Sequence, residues 1–113
     1  MTDIHTLAEQ LGKAIAASPQ AARLRQARQA LTADAQTAQL LREYNAQASR
    51  LERLEAEQQP VGDEERRKLQ ELHGKLVSSE LFKEYTQAQV EFAELMRTVN
   101  EAIRKPLGEV AGE

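Results

Sequence analysis

The 113-residue chain has no cysteine, three prolines, five scattered glycines and only 4% aromatic residues. Without thiols it cannot form disulfides, thiolate zinc sites, thiol nucleophiles or cysteine-held iron–sulfur clusters. No apolar run approaches the roughly 20 residues a membrane span needs. The first 20 residues also lack the basic-then-apolar layout of a signal peptide, so a cytoplasmic protein without a membrane segment is expected. The glycines stand alone, which removes any Gly-rich loop for holding phosphate. What remains is 41% apolar and 29% charged residues, a formal net charge of −3 and a mean hydropathy of −0.62. Ala, Leu, Gln, Glu and Arg dominate. These are helix-forming residues in a length that suits one domain, so the expected class is all-α.

Five helical segments are predicted, at about 3–17, 19–32, 34–58, 63–77 and 79–104. In the first, Ile4, Leu7, Ala8, Leu11, Ala14 and Ile15 share one face, with Asp3 or Thr2 as cap. Ser18-Pro19 ends it, because the proline ring disfavours helical geometry at the residue before it. The same pair starts the second segment, with Ser18 as N-cap and Pro19 in the first helical position. The stripe of Ala21, Leu24, Ala27, Ala30 and Leu31 is thin. Asp34 can cap a third helix, although nothing near Thr32–Asp34 forbids a continuous one. Ala38, Leu41, Tyr44, Ala48 and Leu51 then follow heptad-like spacing.

Gln59-Pro60-Val61-Gly62-Asp63 is the clearest break and should reverse the chain. Asp63 is read as the cap of a fourth helix, with Glu64 and Glu65 favouring its N-terminus and Leu69, Leu72, Leu76 and Val77 as its buried edge. Either serine of Ser78-Ser79 can cap the fifth. That helix holds 3-4 spacing through Leu81, Tyr85, Ala88, Phe92, Leu95, Val99 and Ala102, widened by Phe82, Met96 and Ile103. Lys105-Pro106 is expected to end it, leaving a single helical domain over 1–106 and a flexible tail over 107–113.

Leu40-Leu41-Arg42-Glu43-Tyr44 and Leu81-Phe82-Lys83-Glu84-Tyr85 match in type at five positions. One reading is a short-helix/long-helix unit occurring twice; the other is coincidence in a biased composition. The expected architecture is a bundle of about five helices, two of them long and antiparallel with shorter helices packed on them. A helix of about 25 residues is roughly 37 Å long, while short partners of about 14 residues reach only roughly 21 Å. A compact domain of this size is about 35 Å wide. Short helices therefore leave part of the long stripes uncovered, and an uncovered apolar stripe points to a subunit interface. A homo-oligomer, dimer or tetramer, is expected, with Leu41, Tyr44, Leu51, Leu81, Phe82, Tyr85, Phe92, Leu95, Met96 and Val99 as its core and interface.

The sequence offers little for catalysis. A di-iron bundle needs Glu three residues before each ligand histidine, but Thr2 precedes His5 and Gln70 precedes His73. His5 and Glu9 are an i,i+4 pair, which is two ligands and not a site. His73 borders Leu72 and Leu76 and reads as partly buried or interfacial. No Ser–His–acid spacing is present. The expectation is a non-enzyme without cofactor or metal. Gly12 and Gly74 interrupt helical patterns, either for close helix approach or as tolerated defects.

Basic residues have a local pattern. Between Gln10 and Ala33 the only charges are Lys13, Arg23, Arg25 and Arg28, a balance of +4. This face is the candidate contact to a partner, and weak RNA or DNA binding through Arg23, Arg25 and Arg28 is the alternative function. The net negative charge and the lack of interleaved aromatics weigh against nucleic acid.

Leu7-Ala8-Glu9-Gln10-Leu11-Gly12-Lys13-Ala14-Ile15-Ala16-Ala17-Ser18 resembles the first helix of the YlbF/YmcA family of small bacterial proteins. Phe82, Ala88, Phe92, Leu95-Met96, Val99-Asn100 and Ile103 resemble its closing pattern, and the likeness covers roughly residues 4 to 104. The resemblance implies an all-helical, oligomeric, non-catalytic regulatory adaptor of the bacterial cytoplasm. Family members assemble with related helical regulators and influence competence, sporulation and biofilm formation, in part through an endoribonuclease that matures messenger RNA. Some of their complexes carry cysteine-held iron–sulfur clusters, a property this cysteine-free chain cannot share.

Overall fold

The computed structural model describes residues 3–111, the side chains of residues 109 and 111 apart. Over those residues the chain forms five helices and no strand: α1 Ile4–Ala16, α2 Pro19–Ala33, α3 Ala35–Ala56, α4 Asp63–Val77 and α5 Glu80–Ala111. Asp3 takes the N-cap position of α1 without a side-chain cap bond. Thr2, the other cap candidate, lies outside the described residues.

The corners are built from short polar side chains. Ser18 Oγ donates to Ile15 O at 2.6 Å and accepts from Ala21 N at 3.1 Å, so one hydroxyl closes α1 and opens α2. Asp34 breaks α2 from α3: its carboxylate accepts from Thr37 N at 3.0 Å and Thr37 Oγ1 at 3.2 Å. The Thr37 amide, then its hydroxyl, hold the Asp34 carboxyl below its ordinary pKa. Ser79 Oγ accepts from Phe82 N at 3.3 Å at the start of α5.

One turn assignment from sequence is corrected, the cap of α4. The residue with left-handed backbone after α3 is Gln58, φ 58°. It sits where Gln59 N bonds Leu54 O at 2.8 Å and Gln58 N bonds Glu55 O at 3.0 Å, which satisfies the last carbonyls of the helix. Gly62, with ordinary φ, is the N-cap of α4, so Asp63 is the first helical residue rather than the cap. Its charge, with Glu64 and Glu65, still lies at the positive end of the helix dipole.

The end of α5 is a second correction. The helix does not stop at Lys105-Pro106 but runs through Pro106 to Ala111, over 32 residues or roughly 48 Å. Proline removes the one N–H that would bond Ala102 O. A single bond lost near a helix end is a local defect, and Ile103, Leu107 and Val110 keep helical spacing across it. Residues 112–113 of the expected tail lie outside the described residues.

The chain divides into two compact units, with boundaries inside α2 and α5. One takes the chain up to Ala27 together with the stretch from Thr86 onward; the other is Arg28–Tyr85. The 28–85 unit is built on a hairpin of α3 and α4, whose contacts run in opposite order along the two helices. Tyr44 meets His73, and both Gln47 and Arg50 meet Glu65. Its buried apolar residues are Leu31, Leu51, Leu72 and Leu76. Val77, expected on this edge, is exposed, since it lies about 100° around the helix from Leu76. In the other unit the buried apolar residues are Ala21, Ala27 and Ala88. A Cβ added at Gly12 or Gly74 would meet nothing within 4 Å, so neither glycine marks a close helix approach.

Candidate interaction surface

The apolar stripe of α5 is only half covered. Leu81, Phe82, Tyr85, Phe92, Leu95, Met96 and Val99 are all half-buried, and Ala88 alone among the described residues of this helix is fully buried. Further along, Ile103, Leu107 and Val110 are exposed. On α3, Leu41 and Tyr44 are half-buried, whereas Leu51 belongs to the leucine core. The residues expected to form one interface are thus shared out. Leu41, Tyr44, Leu51, Leu81, Phe82 and Tyr85 lie in the 28–85 unit; Phe92, Leu95, Met96 and Val99 lie in the other.

The charges grouped around Arg97 lie on the face away from this stripe, whereas Glu84 and Glu91 border it. Arg97 lies between Glu94 and Glu101, three residues before it and four after. Its Nε and Nη2 bond Glu94 at 3.0 and 2.5 Å, and its Nη1 bonds Glu101 at 2.6 Å. The hydrogen bond from Arg97 holds the Glu94 carboxyl below its usual range, and the two carboxylates raise the guanidinium further. An amphipathic helix with these charges paired on one side and a half-open apolar stripe on the other is suited to binding another protein surface.

Two of the three arginines of α2 are drawn into bonds within the chain. Arg23 Nη1 lies 2.6 and 2.5 Å from the two oxygens of Glu91. Arg25 Nη1 donates to Ala16 O at 3.1 Å, placing positive charge at the C-terminal carbonyls of α1. Arg28 is exposed. Arg23 thus faces a carboxylate, a neutralised site rather than a bare one for phosphate. Beside this ion pair, Gln20, Val90, Glu94, Leu95 and Thr98 line an open groove of about 460 Å³ with Glu91.

Both histidines lie at the surface. His5 Nε2 lies 2.8 Å from Glu9 Oε1, with its side chain 80% exposed. His73, expected to be partly buried or interfacial, is exposed in the chain, its ring 6.0 Å from that of Tyr44. The helix turns it past the buried line of Leu72 and Leu76. Among the described residues no group of three or more His, Asp or Glu is placed to hold a metal ion.

Two features escaped the sequence reading. Gln47 is buried and donates from Nε2 to Glu65 O at 3.0 Å, tying α3 to α4; a polar residue inside a heptad stripe carries no signal of burial. The apolar run Val99, Ile103, Leu107 and Val110 was legible as helical spacing but hidden by Pro106, which reads as a terminator.

The family model described as control of competence regulator ComK, YlbF/YmcA, matches residues 4–108. A UPF0342 protein of Streptococcus pyogenes serotype M3 is 29% identical over 105 residues, covering 93% of both chains. A UPF0342 protein of Desulfitobacterium hafniense is 30% identical over 98 residues, 87% of this chain and 75% of that one. The chain belongs to the YlbF/YmcA family. No helix among its described residues is long and apolar enough to cross a membrane.

Proposed function

From this membership we propose that the chain is a non-catalytic regulatory adaptor of the bacterial cytoplasm. It acts as a homo-oligomer, dimer or tetramer, that presents surface to another protein. The observation that carries the reading is the α5 stripe: Phe92, Leu95, Met96 and Val99 half-buried and Ile103 exposed, on a helix whose charges around Arg97 pair on the opposite face. Burying a large aliphatic or aromatic side chain is worth about 1.5–3 kcal/mol, so covering this row favours assembly. The family description supports a regulatory role. Related helical regulators or an endoribonuclease complex are the partners this reading favours. The exposed basic face of α2, with Arg28 on it, is the contact it offers them.

Molar mass by light scattering over a concentration series tests the assembly. A dimer or tetramer at micromolar concentration is expected, and a 12.7 kDa species at every concentration overturns the homo-oligomer. Phe92→Asp should abolish assembly, since an unpaired charge placed in a closed interface costs several kcal/mol. Ile103→Glu, at a position already exposed, should weaken assembly while leaving helicity unchanged. The regulatory role is read separately: deletion of the gene should alter competence, biofilm formation or transcript processing, and an unaltered deletion strain overturns it.

A further inference from the structure

Two apolar helix faces within one compact unit are left uncovered. On α1, Ile4 is 84%, Leu7 50% and Leu11 37% exposed, Ile15 is half-buried, and no residue of the helix is buried. On α5, half-buried Val99 is followed by Ile103, Leu107 and Val110, exposed by 47, 48 and 85%. α1 carries its apolar residues at intervals of three, four and four. Read backwards from Val110, α5 carries the same intervals. Both faces are therefore roughly 17 Å long, and laying the helices antiparallel puts Ile4 opposite Val110, Leu7 opposite Leu107, Leu11 opposite Ile103 and Ile15 opposite Val99. A parallel arrangement loses this step-for-step match.

The surroundings suit close contact. Ala8, Gly12 and Ala14 border the α1 face, and Ala102 and Pro106 border one side of that of α5, so the helices can approach closely along that side. Helical geometry turns Glu9 and Lys13 on α1, and Glu101 and Lys105 on α5, to the far sides, and leaves Asn100 and Arg104 at the rim, where a long side chain keeps its charge in water. The α1 face is anchored at one end: Ser18 Oγ to Ile15 O and Arg25 Nη1 to Ala16 O tie the corner from which α1 leaves α2.

We propose that the occupant is a second copy: α1 of one chain lies antiparallel on residues 99–110 of α5 in the other, reciprocally about a two-fold axis. The exposed fractions of the six open aliphatic residues amount to up to roughly 1,300 Å² over two copies, inside the ~1,200–2,000 Å² of standard stable interfaces. This pairing rests on the homo-oligomer reading and specifies which surfaces meet.

The absence of cysteine makes the test direct. Leu7→Cys and Leu107→Cys chains, mixed and oxidised, should give a covalent dimer joining one of each. The far-face pair Glu9→Cys and Lys105→Cys should give none above background. Leu7→Asp should raise the dimer dissociation constant at least tenfold with helicity unchanged, because α1 contributes no buried residue to its own chain. If the Leu7→Cys/Leu107→Cys double variant closes on itself as a covalent monomer, or the mixed chains fail to join, the pairing is overturned. Unmodified protein that still scatters as a dimer would then leave the homo-oligomer standing, whereas a 12.7 kDa species would remove both.

Discussion

The two units are made of the same kinds of residue and bury different ones. In residues 28–85 the interior holds four leucines, with Leu31 and Leu76 almost wholly enclosed, and one large aliphatic, Val77, is exposed. In the other unit the buried apolar residues among those described are three alanines, while Ile4, Leu7, Leu11, Val90, Ile103, Leu107 and Val110 face solvent. A buried leucine contributes about 1.5–3 kcal/mol, and an alanine, with only a methyl group to hide, far less. The hairpin of α3 and α4 has spent its apolar residues on its own stability. The unit formed by α1, the start of α2 and most of α5 leaves its large aliphatic residues largely outside.

This contrast can be broken by substitution. Leu76→Ala empties a closed site in the leucine core and should cost about 2–5 kcal/mol in urea unfolding. Leu107→Ala should change monomer stability by less than about 0.5 kcal/mol while shifting the assembly midpoint in dilution. Equal effects of the two would abolish the distinction between the units. Gln47→Met keeps the volume and removes the bond to Glu65 O, which still accepts within α4, and should cost about 0.5–1.5 kcal/mol, read in the same unfolding experiment.

Smaller effects sharpen the picture of the helix ends. Asp34 has a folded pKa below its unfolded value, so its contribution to stability is fully present above the ordinary aspartate range near pH 4. It is lost as pH falls through the folded value. Asp34→Asn should retain a cap and flatten that part of the acid-unfolding curve; an unchanged curve would deny the carboxylate its role. Gln58→Gly relieves a left-handed backbone at some cost in chain entropy, and should stabilise by less than about 1 kcal/mol in thermal or urea unfolding.

Helix existence was legible from residue spacing, since five amphipathic patterns separated by Ser-Pro, Asp and Pro-Val-Gly signals became five helices. The ends were less legible. Pro106 looked like a stop because proline lacks a donor, yet near a helix end only one bond is forgone. Asp63 looked like the cap of α4, yet Gly62 holds that position, and the left-handed residue before it is Gln58, where bonds to Leu54 and Glu55 secure the turn. For the candidate surface, spacing identified the stripe on α5 but not its degree of cover. The arginines of α2 could be counted but not paired, because Glu91 lies 68 residues beyond Arg23.

Composition and periodicity settle what is local: helix class, which face of each helix is apolar, and the chemistries that an absence of thiols rules out. These follow from interactions within a few residues along the chain, which a linear pattern records. Which apolar faces meet was decided only in three dimensions, because burial is a property of pairs of surfaces and not of the residues that compose either one. That is why Leu31, Leu51, Leu72 and Leu76 are enclosed, while the equally hydrophobic Leu7, Leu11, Ile103 and Leu107 stay open.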